Sequence, residues 1–153
     1  MTPILRGLLL LLHLLGAMAW MGGMAFVAFC LRPAAAETLD PPQRLPLWVA
    51  TLARFLRLVA GAVVVLLISG LALLGQVGLR AAPAGWLVMT ALGGIMAAVF
   101  AYVYLALFPR LRTYCRAAAW PAAAAVLNLI RRLVALNLVL GVVTVAAAVA
   151  ARF

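Results

Sequence analysis

Four apolar runs, residues 7–31, 58–79, 86–108 and 133–151, take up most of this 153-residue chain, and none contains Asp, Glu, Lys or Arg. A bilayer core about 30 Å thick is crossed by a helix of roughly 20 such residues. Inside lipid, backbone amides and carbonyls must bond within their own segment, which for runs of this length means helix. The expectation is therefore an all-α, integral membrane four-helix bundle with antiparallel neighbours, a single transmembrane domain over 1–153. With 70% of residues apolar and 9% charged, no soluble catalytic domain fits beside it. The first run is too long for the apolar core of a cleaved leader and lacks an A-x-A site, so it is expected to stay as span one. Arg32-Pro33 is expected to end that span and open a loop reaching Arg57. Spans three and four are expected to extend past the lipid as an Ala-rich hairpin turning near Trp120-Pro121.

The charges sit at the ends of the runs. All twelve basic residues are arginine, against Glu37 and Asp40, for a net charge of +10. A basic stripe, as a nucleic-acid binder would need, is missing, so no nucleic-acid partner is expected. The arginines read instead as orientation signals. Nine of them (Arg32, Arg44, Arg54, Arg57, Arg110, Arg112, Arg116, Arg131 and Arg132) flank the two longer connections, whereas Arg6, Arg80 and Arg152 fall on the other side. The positive-inside rule then places both long connections in the cytoplasm and both termini in the periplasm.

Candidate chemistry is scarce. His13 is the lone histidine and lies within span one, where an ionisable group is a functional-site candidate. Its imidazole can bond a hydroxyl or carbonyl on a neighbouring helix, ligate a metal or haem, or relay protons. Met21 and Met24 follow at i+8 and i+11, close to the same helical face, with Trp20 at i+7; Met89 and Met96 lie a heptad apart on span three. Thioether and imidazole together suit Cu(I), although methionine also fills apolar cores. Gly16, Gly22, Gly23 and Gly93-Gly94 suggest close helix approach, in a bundle or a homodimer. Ser69, Thr90, Tyr102, Tyr104, Asn137 and Thr144 are expected to hydrogen-bond within the bundle, with an exposed carbonyl an equal alternative for Asn137, one turn inside the cytoplasmic boundary. Glu37 and Asp40 read as salt-bridging or helix-capping groups. Cys30 and Cys115 are too far apart for a metal motif and read as reduced and inert. Without a catalytic set or phosphate loop, hydrolytic and phosphoryl-transfer enzymes are excluded as readings.

The stretch HLLGAMAWMGGMAFVAFCLRPAA, residues 13–35, resembles the first span of the copper-resistance D (CopD) family in His13, Trp20, Gly22-Gly23 and the Arg32-Pro33 exit. LDPPQRLPLW, residues 39–48, and WPAAAAVLNLIRRLVALNLVLGVV, residues 120–143, are similar to the matching loop and fourth span of its small stand-alone members. The resemblance implies a multi-pass protein of the bacterial inner membrane that handles copper, taking it from a periplasmic donor, and of the metal-binding candidates it covers only His13, while Met21, Met24 and Met89 rest on their register and soft sulfur. Full-length members carry more spans, and relatives often have histidines where this chain has Leu87 and Tyr102. The four-helix shape is also similar to membrane protoporphyrinogen oxidases and b-type cytochromes, so haem b held by His13, alone or paired across a dimer axis, is the alternative. A structural subunit of a larger membrane complex is the third reading.

Overall fold

The computed structural model describes residues 2–150; Ala151 and Arg152, the expected end of span four and its flanking charge, lie outside the described residues. Six α-helices and two π-helical turns form four long apolar rods, each long enough to cross a membrane. Helix α1 (Pro3–Phe26) passes through a first π turn (Val27–Leu31) into α2 (Arg32–Thr38), and α3 (Pro41–Val77) returns. Helix α4 (Ala84–Tyr102) passes through a second π turn (Val103–Leu107) into α5 (Phe108–Arg116), and α6 (Trp120–Ala150) returns. The chain is thus a multi-pass all-α membrane protein. It is built from one motif used twice.

The expectation that Arg32-Pro33 ends span one is corrected. Proline lacks an N–H and its ring crowds the carbonyl four residues back. The chain accommodates this by widening one turn: the amide of Arg32 reaches back five residues to the carbonyl of Val27, and the helix continues to Thr38. The second half repeats the device, with the amide of Phe108, just before Pro109, bonded to the carbonyl of Val103. A π turn ahead of a proline re-satisfies the backbone without breaking the rod. The expected loop from Arg32 to Arg57 is likewise almost all helix, because α3 begins at Pro41 and carries Pro46 inside it. Asp40 stands at the start of α3, yet its side chain makes no capping hydrogen bond.

Helix α1 packs chiefly on α3 and α4 on α6, giving two antiparallel pairs. Between them runs a core that includes Trp20, Met24, Leu56, Met96, Phe100 and Ile130. Trp20 meets Phe100 edge to face at 6.1 Å between centroids, and Phe100 stacks on Tyr104 at 5.6 Å. The core continues past the apolar runs to Trp48, Leu111 and Ala123, all almost fully buried. There Arg131 of α6 lies over the indole of Trp48 on α3 at 4.8 Å, a cation–π contact joining the two pairs. At the opposite end Gly78, with φ +79°, lets the chain leave α3, its amide bonded to the carbonyl of Leu74. The expected hairpin near Trp120 is present, with Ala118 in the left-handed region at φ 52°.

Candidate functional site

The residue types of α1 and α3 place the one intramembrane imidazole. Ser69 sits in an otherwise apolar stretch of α3, is buried, and donates its hydroxyl proton to the carbonyl of Val65 one turn back, at 2.6 Å. Its oxygen is then left as an acceptor toward His13 Nδ1, 3.0 Å away. If the serine proton stays on Val65, Nδ1 is the nitrogen that donates and Nε2 the one that carries the free lone pair. The next residue makes room for the ring. A Cβ on Gly70 would lie 3.0 Å from His13 Cε1, so a side chain there would push the ring back by a few tenths of an ångström. Ser69-Gly70 is therefore a cradle that holds the ring by a hydrogen bond on one side and close packing on the other. His13 as a whole is half-buried, so the cradle does not enclose it fully. The expectation that His13 bonds a hydroxyl on a neighbouring helix is met, and its partner lies 56 residues away.

The methionines expected beside His13 are spread along the bundle. Met21 and Met24 stand about 12 and 16 Å further down α1, at 1.5 Å per residue. Met21 leans on α6, where a Cβ on Gly141 would touch its Cε at 3.0 Å, while Met24 is buried in the central core. The face expected to be shared by the three is thus divided between two neighbours, α3 for His13 and α6 for Met21. Met89 is half-buried on α4 and occupies the position equivalent to His13 in the repeated motif, each standing twenty residues before its proline. Leu87 and Tyr102 are both exposed on the outer surface of α4. Among the described residues no three His, Cys, Asp or Glu side chains converge.

A second interhelical polar link lies in the other pair. Asn137 of α6 is buried and donates from Nδ2 to the carbonyl of Met96 on α4, 3.1 Å away, as expected of it. Its Oδ1 has no protein partner, and the residue borders a cavity of about 20 Å³ shared with Trp20, Met24 and Phe55, enough for one water. Thr144 donates to the carbonyl of Leu140 and also approaches the Met96 sulfur at 3.8 Å. Of the small residues expected to mediate packing, Gly16 and Gly23 do so, against Leu66 and Phe55. Gly22, Gly93 and Gly94 face open space.

Taken together, the fold and the cradle define a multi-pass membrane bundle with a single imidazole held against Ser69-Gly70 near one end. A family model, Copper resistance protein D, matches residues 49–151, most of the chain. The chain belongs to that family, which links it to copper resistance. The match spans α3 to α6, including Ser69-Gly70 and Met89, and begins after α1, so it does not include His13. No curated protein and no solved structure matches the chain.

Proposed function

We propose that this chain handles copper as Cu(I) in the bacterial inner membrane, binding it first at His13 Nε2 on the periplasmic side. The observation that carries the reading is the Ser69-Gly70 cradle. A hydroxyl committed elsewhere holds Nδ1–H, so the second nitrogen is presented as a ligand in one orientation, as in metal sites whose histidines are fixed by a partner on the other ring nitrogen. Soft donors complete the chemistry. Met89 lies level with His13 on α4 and Met21 and Met24 stand further along the bundle, so the three act as separate contacts for an ion moving inward, not as one coordination sphere.

Purified protein is expected to bind Cu(I) in competition with a chromophoric chelator, and His13→Ala to remove most of that binding. Ser69→Ala, which frees the ring without removing it, is expected to weaken binding by about tenfold. Unchanged stoichiometry in His13→Ala overturns the assignment. A Soret band dependent on His13 in the same sample replaces it with haem b, and neither signal together with a stably co-purifying membrane partner makes the chain a structural subunit. The nine-arginine end lies in the cytoplasm on this reading. A membrane-impermeant thiol reagent applied to intact cells is expected to leave Cys115 unlabelled until the membrane is opened.

A further inference from the structure

Between α3 and α5, at the arginine-rich end, runs an open groove of about 730 Å³. Its apolar lining includes Val49 and Ala53 on one side and Tyr104 and Phe108 on the other, and three arginines, Arg57, Arg112 and Arg116, border it. The chain has two carboxylates, Glu37 and Asp40, and neither lines the groove. Arg57 spends its Nε–H on the carbonyl of Ala53 at 2.8 Å, leaving the rest of its fork for another acceptor. Arg112 sits over the Phe108 ring at 5.8 Å, so its cation is held beside the apolar wall. The groove lies where the apolar runs end: Arg57 immediately precedes the run 58–79, and Phe108 closes the run 86–108.

An occupant has to be anionic at one end and apolar at the other, and it has to reside at the boundary of a bilayer. We infer that the groove binds an anionic phospholipid, its phosphate among Arg57, Arg112 and Arg116, its glyceride against Ala53 and its acyl chains leaving past Tyr104 and Phe108 toward the apolar runs. Basic recesses between membrane helices recognise charged head groups in this way, and guanidinium forks match phosphate oxygens in pairs. The site is separate from the His13 cradle, so the two proposals stand or fall independently.

The test uses the full chain, reconstituted in nanodiscs or mild detergent with equal phosphatidylglycerol and phosphatidylcholine, and reads retained lipid by native mass spectrometry. Phosphatidylglycerol is expected to be retained preferentially. Replacing one arginine by Gln is expected to weaken its binding about fivefold, and Arg57→Gln/Arg112→Gln/Arg116→Gln together on the order of a hundredfold. Ala53→Phe, which keeps every charge and fills the groove, is expected to lower retention by a similar order, while Arg80→Gln at the opposite end leaves it unchanged. Equal retention of the two lipids overturns the proposal, as does an Ala53→Phe protein that binds like wild type, since charge alone would then suffice. Displacement by millimolar inorganic phosphate marks a free-anion site instead. Binding of an acidic peptide without any preference among lipids marks a protein-docking surface, and either result overturns the lipid reading.

Discussion

The two helix pairs share a backbone plan and differ in what they do with their polar link. In each, a rod runs into a π turn ahead of a proline, a short helix follows, and a long helix returns. In the first pair the link is His13 to Ser69, half-open to the outside of the bundle. In the second it is Asn137 to the Met96 carbonyl, sealed in the core beside Trp20 and Met24. The sealed link ties helices together, whereas the open one spends packing to leave a nitrogen lone pair available. One repeat unit thus buries its polar link within the bundle, and the other leaves its link half-exposed.

The contact that most directly tests whether the pairs are separate bodies is the one joining them beyond the lipid. Trp48→Ala removes a buried indole and the platform under Arg131, and is expected to destabilise the protein by about 3–5 kcal/mol in equilibrium denaturation in bicelles. A much smaller loss would mean that the pairs are held together mainly inside the membrane. Next comes the sealed link. Asn137→Ala is expected to lower stability by about 1–2 kcal/mol, a hydrogen bond plus a small cavity, and Ser69→Ala by less than about 1 kcal/mol. Equal losses would erase the division of labour between the pairs. The smallest effects come from two glycines. Gly70→Ala is expected to change stability by no more than about 0.5 kcal/mol, because the helix propensity gained offsets the crowding of His13. It should still weaken Cu(I) binding severalfold by tilting the ring. Gly141→Ala meets only the flexible Met21 thioether, and both quantities should stay near wild type.

Much of the architecture was legible because lipid imposes a length on apolar runs, and among the described residues each run falls largely within a helix long and apolar enough to cross a membrane. What the runs do beyond the lipid was hidden. Proline signals a helix end only on average, and at Pro33 and Pro109 a shift of one hydrogen bond from four residues back to five absorbed the missing donor. Arg131 reads as a peripheral charge in the sequence, yet it is partly buried over Trp48, a contact that 82 intervening positions conceal. At the candidate site the imidazole was visible and its holder was not. A signal for it existed in Ser69-Gly70, a hydroxyl next to a missing side chain in the middle of an apolar run. Its pairing with His13 depends on which helices become neighbours. The methionine face failed as a single surface for the same reason, since periodicity gives the face of one helix and says nothing of how two neighbours divide it.

The length of α3 has a mechanical consequence. Its 37 residues measure about 55 Å at 1.5 Å per residue, against a hydrocarbon core of about 30 Å. At the Gly78 end the connection to α4 is short, so the surplus of about 25 Å projects at the arginine-rich end, where the bundle core continues through Trp48 and Leu111. The protein is therefore anchored like a post with one end flush and the other standing clear. A thicker or thinner bilayer leaves the projecting end little altered and presses on the flush one. Lipid thickness thereby becomes an external load on the helix ends that carry His13 and its cradle.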